Sequence, residues 1–507
     1  MTGPPVTEPP AGLAQEHDWQ RLDPRMLLVH PVLEVVKFLP VLLGVLVAGT
    51  ATGTLTWELF GLGFPVALGL LRYLTTSFRI ADGRVELKRG LLNRSTLSAR
   101  LDRVRTVDLS ASLVHRLLGL QTLRIGTGST STDEDDRLDL DGLPTERALR
   151  LRGELLRAGA GHAEPSAAGP GVGTAAGPVS APPPALTLDL GWVRYAPLTG
   201  TGAVVFAGLL GAVGQVVSSV GEVRVDTTRI ESGPGLPGAL LVAALGVGVL
   251  VVYVAFSVAG YLVANWGFAL RREAGSWHVR RGLLTTRETS IDEERVAGVT
   301  LTEPWPLRLA GAARVSAIVT GLATASNSAA LAPPAPRVVA QRVGSLVLGS
   351  AEPLVGGLVA HGPVARQRRW FRALAPALLV VGAASLAVPL LDAPGWVPLV
   401  ALLALPVGVA LAVDRTRSLG HAVVGDTLVA RSGSLLRRRE ALGVEHVIGW
   451  NLRATWFQRR GGLTSLSATT AGGRQSVTVL DVPDDEAVRV ASDAVPGLVE
   501  QFLADAR

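Results

Sequence analysis

The chain alternates between long apolar stretches and segments in which apolar and polar positions follow each other with the short period of β-strands. Six stretches are almost without charge and consist mainly of Leu, Val, Ala and Gly: residues 38–57, 59–73, 195–220, 240–263, 373–391 and 397–413. Most of them are long enough to cross a hydrocarbon layer of ~30 Å as a helix. The pattern therefore predicts six membrane-spanning helices, grouped as three helical hairpins.

Each hairpin is followed by a segment with a strand-like pattern. In the first of these segments Val85, Glu86 and Leu87 alternate after the turn signal Asp82-Gly83, and a helix start follows at residues 143–146. About six or seven short strands closed by one amphipathic helix are expected there.

These patterns divide the chain into eight parts. They are a tail (1–25), hairpin one (26–73), module one (74–158), a Pro/Gly/Ala-rich linker (159–185), hairpin two (186–265), module two (266–350), hairpin three (365–413) and module three (414–507). Module two contains a Pro/Ala/Ser-rich insert, residues 323–336, which is expected to be a flexible loop.

A sequence signature recurs in all three modules and indicates a threefold internal repeat. It consists of a glycine, a valine that follows an acidic-basic pair, and an arginine three residues before a second glycine. The arginine follows the first glycine by 26 residues in every copy. The signature residues are Gly90, Val104, Arg116 and Gly119 in module one, Gly282, Val296, Arg308 and Gly311 in module two, and Gly433, Val447, Arg459 and Gly462 in module three.

The signature favours a structural interpretation. Its first glycine would link two strands at a positive φ, its valine would face the inside of the β-rich module, and its second glycine would end a helical turn. The alternative is that Arg103 or Arg116 contacts an anionic headgroup, because arginine binds phosphate with two hydrogen bonds.

Composition and charge exclude several kinds of functional site. Mean hydropathy is positive, only 18% of residues are charged, and there is no cysteine, which excludes disulfides, thiolate metal sites and cysteine nucleophiles. The eight histidines are scattered, and neither a phosphate-binding loop nor a nucleophile elbow occurs. We therefore expect no catalytic residues, no metal, no cofactor and no nucleic-acid partner.

Basic residues lie near the ends of the apolar stretches, which predicts that both termini and all three modules are cytoplasmic. A basic belt precedes the fifth stretch and consists of Arg366, Arg368, Arg369, Trp370 and Arg372. Such charges are attracted to an anionic leaflet. The belt is a possible anionic-lipid contact, and plain topological anchoring is the other reading.

Four groups of residues carry a resemblance to a known family: residues 83–87 (Gly-Arg-Val-Glu-Leu), 89–92 (Arg-Gly-Leu-Leu), 102–104 (Asp-Arg-Val) and 116–120 (Arg-Leu-Leu-Gly-Leu). Together with the paired apolar stretches they resemble the bacterial pleckstrin-homology (PH) membrane protein family of the YdbS/YdbT type. The resemblance implies a multi-pass α-helical membrane protein with three cytoplasmic α+β PH-like domains, each a split β-barrel capped by a C-terminal helix.

Two classes of function remain open. The first is a non-enzymatic scaffold in the bacterial cell membrane, whose PH-like modules bind an unknown protein partner or anionic lipid headgroups. The second is a transporter or lipid-handling protein that uses the six-helix bundle as a pathway. Transporters place ionisable residues within their spans, and the stretches here contain almost none, so the scaffold is favoured.

Overall fold

The protein divides into two compact units, Met1–Ser290 and Ile291–Arg507. The computed structural model describes residues 16–32, 73–81, 83–90, 95–100, 106–126, 138–159, 183–200, 238–273, 275–320 and 329–497, with single positions between 34 and 71 and between 202 and 211.

The first unit contains a four-stranded antiparallel sheet. Its strands, in spatial order, are β1 (Glu16–Arg21), β2 (Ser77–Ala81), β3 (Arg84–Arg89) and β4 (Ser95–Arg100). Val85 and Leu87 of β3 are fully buried, as the alternation in the sequence predicts.

The prediction that residues 1–25 form only a tail is wrong for β1. This strand is polar apart from Trp19, so it has no hydrophobic alternation that would reveal it. Trp19 is held by two cations instead, with the guanidinium of Arg79 4.8 Å and the ammonium of Lys88 3.7 Å from the centre of its ring.

A second sheet of the first unit joins strands from modules one and two. From module one come β5 (Thr106–Ser112), β6 (Leu120–Gly126) and β7 (Leu138–Pro144), and β8 (Leu186–Thr187), β9 (Ala269–Glu273), β10 (Ser276–Arg281) and β11 (Thr285–Asp292) complete it. The order is β7-β6-β5-β11-β10-β9-β8. Strand β5 of module one is thus hydrogen-bonded to β11 of module two.

The core of the first unit lies between these strands and two helices. Helix α1 (Leu113–Leu117) connects β5 to β6, and α2 (Thr145–Gly159) follows β7. Apolar side chains from both sheets, from α2 and from the helical residues 26–32 form one buried cluster, which includes Met26, Phe78, Leu87, Leu109, Leu123, Leu140 and Leu155.

The second unit contains two antiparallel sheets. A six-stranded sheet has the order β14-β13-β12-β17-β16-β15, with β12 (Val296–Pro304), β13 (Ala312–Val319) and β14 (Ala330–Pro336) from module two, and β15 (Gly420–Val424), β16 (Thr427–Ser432) and β17 (Leu436–Gly443) from module three. A three-stranded sheet consists of β18 (Gly449–Arg453), β19 (Leu463–Thr469) and β20 (Ser476–Pro483) in that order.

The prediction that residues 323–336 are a flexible loop is wrong for residues 330–336, which form strand β14. Its residues Leu331, Ala332 and Ala335 are buried, and it pairs with β13. Because β14 lies at the edge of its sheet, Pro333 and Pro334 do not interrupt a ladder on the outer side. Residues 321–328 lie outside the described part.

Helices of three kinds complete the described part. The short helical turns are α4 (Trp305–Leu309), α6 (Glu352–Val355) and α10 (Trp456–Arg459). Modules two and three end with the helices α5 (Arg337–Leu348) and α11 (Asp484–Ala494). The apolar helices are α3 (Gly238–Asn265), α7 (Gly362–Leu391), α8 (Val397–Ala401) and α9 (Ala404–Ser418).

Three described helical segments are long and apolar enough to cross a membrane: Gly246–Asn265, Gly362–Leu391 and Val397–Ser418. They coincide with the fourth, fifth and sixth predicted spans. Most of the first three predicted spans lies outside the described residues. Of the third, residues 195–198 end a 3-10 helix (Leu190–Leu198), and the hydroxyl of Tyr253 on α3 donates to the carbonyl of Pro197.

Candidate functional site

The first signature glycine of each module stands in a tight link between two strands. Its φ is 96° at Gly90, 110° at Gly282 and 102° at Gly433. A Cβ at Gly282 or Gly433 would lie 2.0 Å from the carbonyl oxygen three residues later. Only glycine fits this link, for reasons of both backbone conformation and space.

The signature arginine reaches from one module to the next. Arg116 donates from Nη1 to the carbonyl of Leu283 at 3.0 Å, and Arg308 donates from Nη1 to the carbonyl of Ser434 at 3.1 Å. Each acceptor is the residue directly after the signature glycine of the following module. The arginine therefore stabilises a junction between modules, a role that sequence reasoning missed.

The other signature residues have local roles. Gly119, Gly311 and Gly462 have φ between 59° and 70° and follow a short helix. Val447 is half-buried against the core of module three, Val296 is half-buried at the start of β12, and Val104 lies outside the described residues.

A pocket of about 370 Å³ opens at the first junction, where the membrane-length helix α3 ends. Its lining residues are Arg116, Trp266, Gly267, Arg280, Arg281, Gly282, Leu283 and Thr286. Three of these are arginines and none is acidic. The pocket therefore offers concentrated positive charge beside an indole at the end of an apolar helix.

Charged groups outside the lining act on the arginines of this pocket. Burial and the neighbouring Arg287 lower the pKa of Arg281, while the carboxylate of Asp108 acts in the opposite direction. Arg281 is half-buried and Arg280 is exposed. An anion in the pocket would gain from both charges.

The second junction has a different electrostatic design. There Asp414, near the end of α9, accepts from Arg308 and from Arg437 at 2.9 Å each. At the same distance before its own signature glycine, the first junction has Val263 instead of an acid. The internal carboxylate that occupies the second junction is thus missing from the corresponding position of the first.

The helical turn that carries the signature arginine presents apolar side chains to solvent in every module. Leu113 and Leu117 are exposed on α1, Trp305 and Leu309 on α4, and Trp456 and Phe457 on α10. Exposed leucine and tryptophan next to arginine are typical of surfaces that meet a membrane interface.

The predicted basic belt divides into two parts. Arg369 pairs with the carboxylate of Asp481 at 2.6 Å, and Arg368 pairs with the same carboxylate. Asp481, which is buried on β20 at φ 53°, gave no signal in the sequence. These two arginines fasten the first turns of α7 to module three.

The remaining belt residues have more contact with solvent. Arg366 and Arg372 are exposed, and Trp370 is half-buried. Contact between the belt and anionic lipids stays a prediction. Arg366 and Arg372 are its best candidates, because they do not pair with Asp481.

A buried histidine pair lies beside this contact. Nδ1 of His421 is 3.0 Å from Nε2 of His361, and Nδ1 of His361 is 2.8 Å from the carbonyl of Leu480. Burial, together with the nearby His421, lowers the pKa of His361 to about 4. The pair packs the start of α7 against β15 and β20, and among the described residues no group of histidine and acidic side chains could hold a metal ion.

Sheets that join successive modules and apolar helices of membrane length define a class of protein: tandem β-rich domains attached to helices that could cross a membrane. Two segments, residues 31–159 and 376–494, match the family model of the bacterial PH domain. Each of these two segments is therefore similar to the bacterial PH domain. Neither the curated proteins nor the solved structures contain a match to it.

Proposed function

We propose that the chain is a non-enzymatic protein of the bacterial cell membrane whose PH-like modules form a platform for anionic lipid headgroups. In this proposal it has six spans and a threefold repeat of helical hairpin and PH-like module, with both termini and all modules in the cytoplasm. The observation that carries the proposal is the arginine-lined pocket at the end of α3, which has no acidic residue in its lining.

The position of the pocket favours a lipid over a soluble anion. Trp266 directly follows the membrane-length helix, and tryptophan prefers the headgroup region of a bilayer. Leu283 and Leu284 are exposed at the same junction and would lie towards the acyl chains. A phosphodiester headgroup would then reach Arg280 and Arg281 while its acyl chains stay in the membrane.

The proposal is tested on the full-length chain in a non-ionic detergent. Short-chain phosphatidylglycerol and phosphatidylcholine with identical acyl chains are titrated in, and tryptophan fluorescence reports binding. We expect tighter binding of phosphatidylglycerol. The double variant Arg280→Gln/Arg281→Gln should bind it about thirtyfold more weakly, since each charge near an anionic lipid contributes about 1 kcal/mol.

The matched control is Arg84→Gln/Arg150→Gln, which removes the same charge from exposed positions of module one. It should leave phosphatidylglycerol affinity unchanged. Equal affinity for the two lipids, or equal losses in the two double variants, would refute the pocket as a headgroup site.

A further inference from the structure

We propose that copies of this chain join head to tail in the membrane, with β18 of one copy pairing with β4 of the next. The inference rests on the proposed threefold repeat and does not depend on lipid binding. It extends to a second copy the junction that already connects the modules within one chain.

The two internal junctions have the same register. Strand β5 pairs with β11 so that Ser112 lies opposite Thr285, and β12 pairs with β17 so that Pro304 lies opposite Leu436. Ser112 and Pro304 each follow their own signature glycine by 22 residues, and Thr285 and Leu436 follow theirs by three. With the signature arginine bridging both junctions as well, one specific interface occurs twice.

The two strands that would form a third junction lie at sheet edges. Strand β4 stands where β11 and β17 stand in their modules, and β18 stands where β5 and β12 stand. Within the described strands, β4 has β3 as its only neighbour and β18 has β19. Neither strand contains proline, so each can offer its backbone amides to a partner strand.

Residue exposure on β18 differs from that on the corresponding strands of the two internal junctions. Leu109 of β5 and Leu301 of β12 occupy corresponding positions and are 3% and 1% exposed, whereas Leu452 of β18 is 47% exposed. Arg459, the third signature arginine, is exposed as well. Leu452 is at the position where the internal junctions bury a leucine, and Arg459 is at the position where they form an arginine–carbonyl hydrogen bond.

The shared register specifies how two copies would meet. Leu452 would lie opposite Thr96 and Asn451 opposite Leu97. Because different surfaces meet, the contact is heterologous and generates either a closed ring or an open row of copies.

The absence of cysteine makes disulfide trapping a clean test. Two full-length proteins, one with Thr96→Cys and the other with Leu452→Cys, are co-reconstituted in vesicles and oxidised. We expect a disulfide-linked species of twice the chain mass that contains both variants. Replacing Leu452→Cys by Arg453→Cys should lower its yield about tenfold, because a shift of one residue turns the side chain to the other face of the sheet.

Two further variants connect this test to the signature. Arg459→Ala, added to the Leu452→Cys protein, should reduce the trapped species severalfold, whereas Arg460→Ala, which removes an equal neighbouring charge, should not. An internal pair, Ser110→Cys with Arg287→Cys, lies directly opposite in the first junction and serves as the positive control for oxidation.

Several outcomes would overturn the proposal. They are an equal yield from the Arg453→Cys pair, no mixed species although the internal pair is oxidised, and a link formed only within single chains that carry both cysteines. A mixed species that appears only after residues 498–507 are deleted would also refute it, since the chain's own C-terminus would then cover β18. The yield of the disulfide-linked species does not depend on lipid affinity, so either proposal can be refuted without the other.

Discussion

Replacing Gly433 by alanine tests whether the signature glycine is kept for conformation and space. At φ 102° an alanine is strained, and its Cβ would stand 2.0 Å from the carbonyl oxygen of Leu436. No rotamer change relieves a contact between Cβ and backbone, so the link between β16 and β17 must move. Strain of about 1–2 kcal/mol and overpacking of a similar size give a loss of about 3 kcal/mol.

Gly425 provides the matched control, because it also has a positive φ (52°) but nothing within 4 Å of its added Cβ. Gly425→Ala should lose only about 1 kcal/mol. The assay is hydrogen exchange of peptides from β16 and β17 in the full-length protein, because exchange reports local stability without a two-state assumption for the whole chain. Exchange should be about a hundredfold faster in Gly433→Ala and about fivefold faster in Gly425→Ala. Equal effects of the two substitutions would refute the steric argument.

Two further predictions concern the contact between α7 and module three. Asp481→Asn leaves Arg368 and Arg369 without their carboxylate and should destabilise β20 by about 3 kcal/mol, which hydrogen exchange would show as faster exchange of the β20 amides. The control Asp485→Asn, at an exposed position, should have no effect. Unchanged exchange in Asp481→Asn would show that the charge of Asp481 is not needed. The lowered pKa of His361, about 4 against an ordinary 6.5, means that its contribution to stability is complete above pH 6.5 and is lost as the pH falls towards 4. Of the groups around it, His421 and Arg369 lower its pKa, and Glu486 and Arg489 lie near His421. The exchange of β15 and β20 amides should therefore indicate about 2 kcal/mol less stability at pH 5 than at pH 7, and His361→Gln should flatten this dependence; a wild-type profile without slope in this range would contradict the buried, neutral state of the pair.

Local patterns predicted the elements that bury side chains with a regular period. In β3, Val85 and Leu87 alternate with Glu86, and the helix expected after residue 143 begins at Thr145. Strands without such a period were missed. Strand β1 is stabilised by cations on Trp19, and β14 is rich in proline, which an edge strand tolerates and a central strand does not.

The site was harder to predict than the fold, because its contacts join residues far apart in the sequence. Asp481 and its two arginine partners are separated by more than a hundred residues, and nothing in the local sequence of β20 distinguishes this aspartate from an exposed one. Side-chain pairing of this kind depends on the packing of α7 against module three, which only the folded chain defines.

The signature arginine shows that a recurring spacing in the sequence can be noticed and still be interpreted incompletely. Three copies at one spacing suggested either a turn of the fold or an anion contact, but the structure uses Arg116 and Arg308 to connect one module to the next. Because a hydrogen bond to a carbonyl leaves the charge in place, Arg116 still contributes to the pocket with Arg280 and Arg281. At the second junction Asp414 neutralises the corresponding charge. The two junctions therefore share the arginine–carbonyl contact and differ at the neighbouring position, which is Val263 in the first and Asp414 in the second.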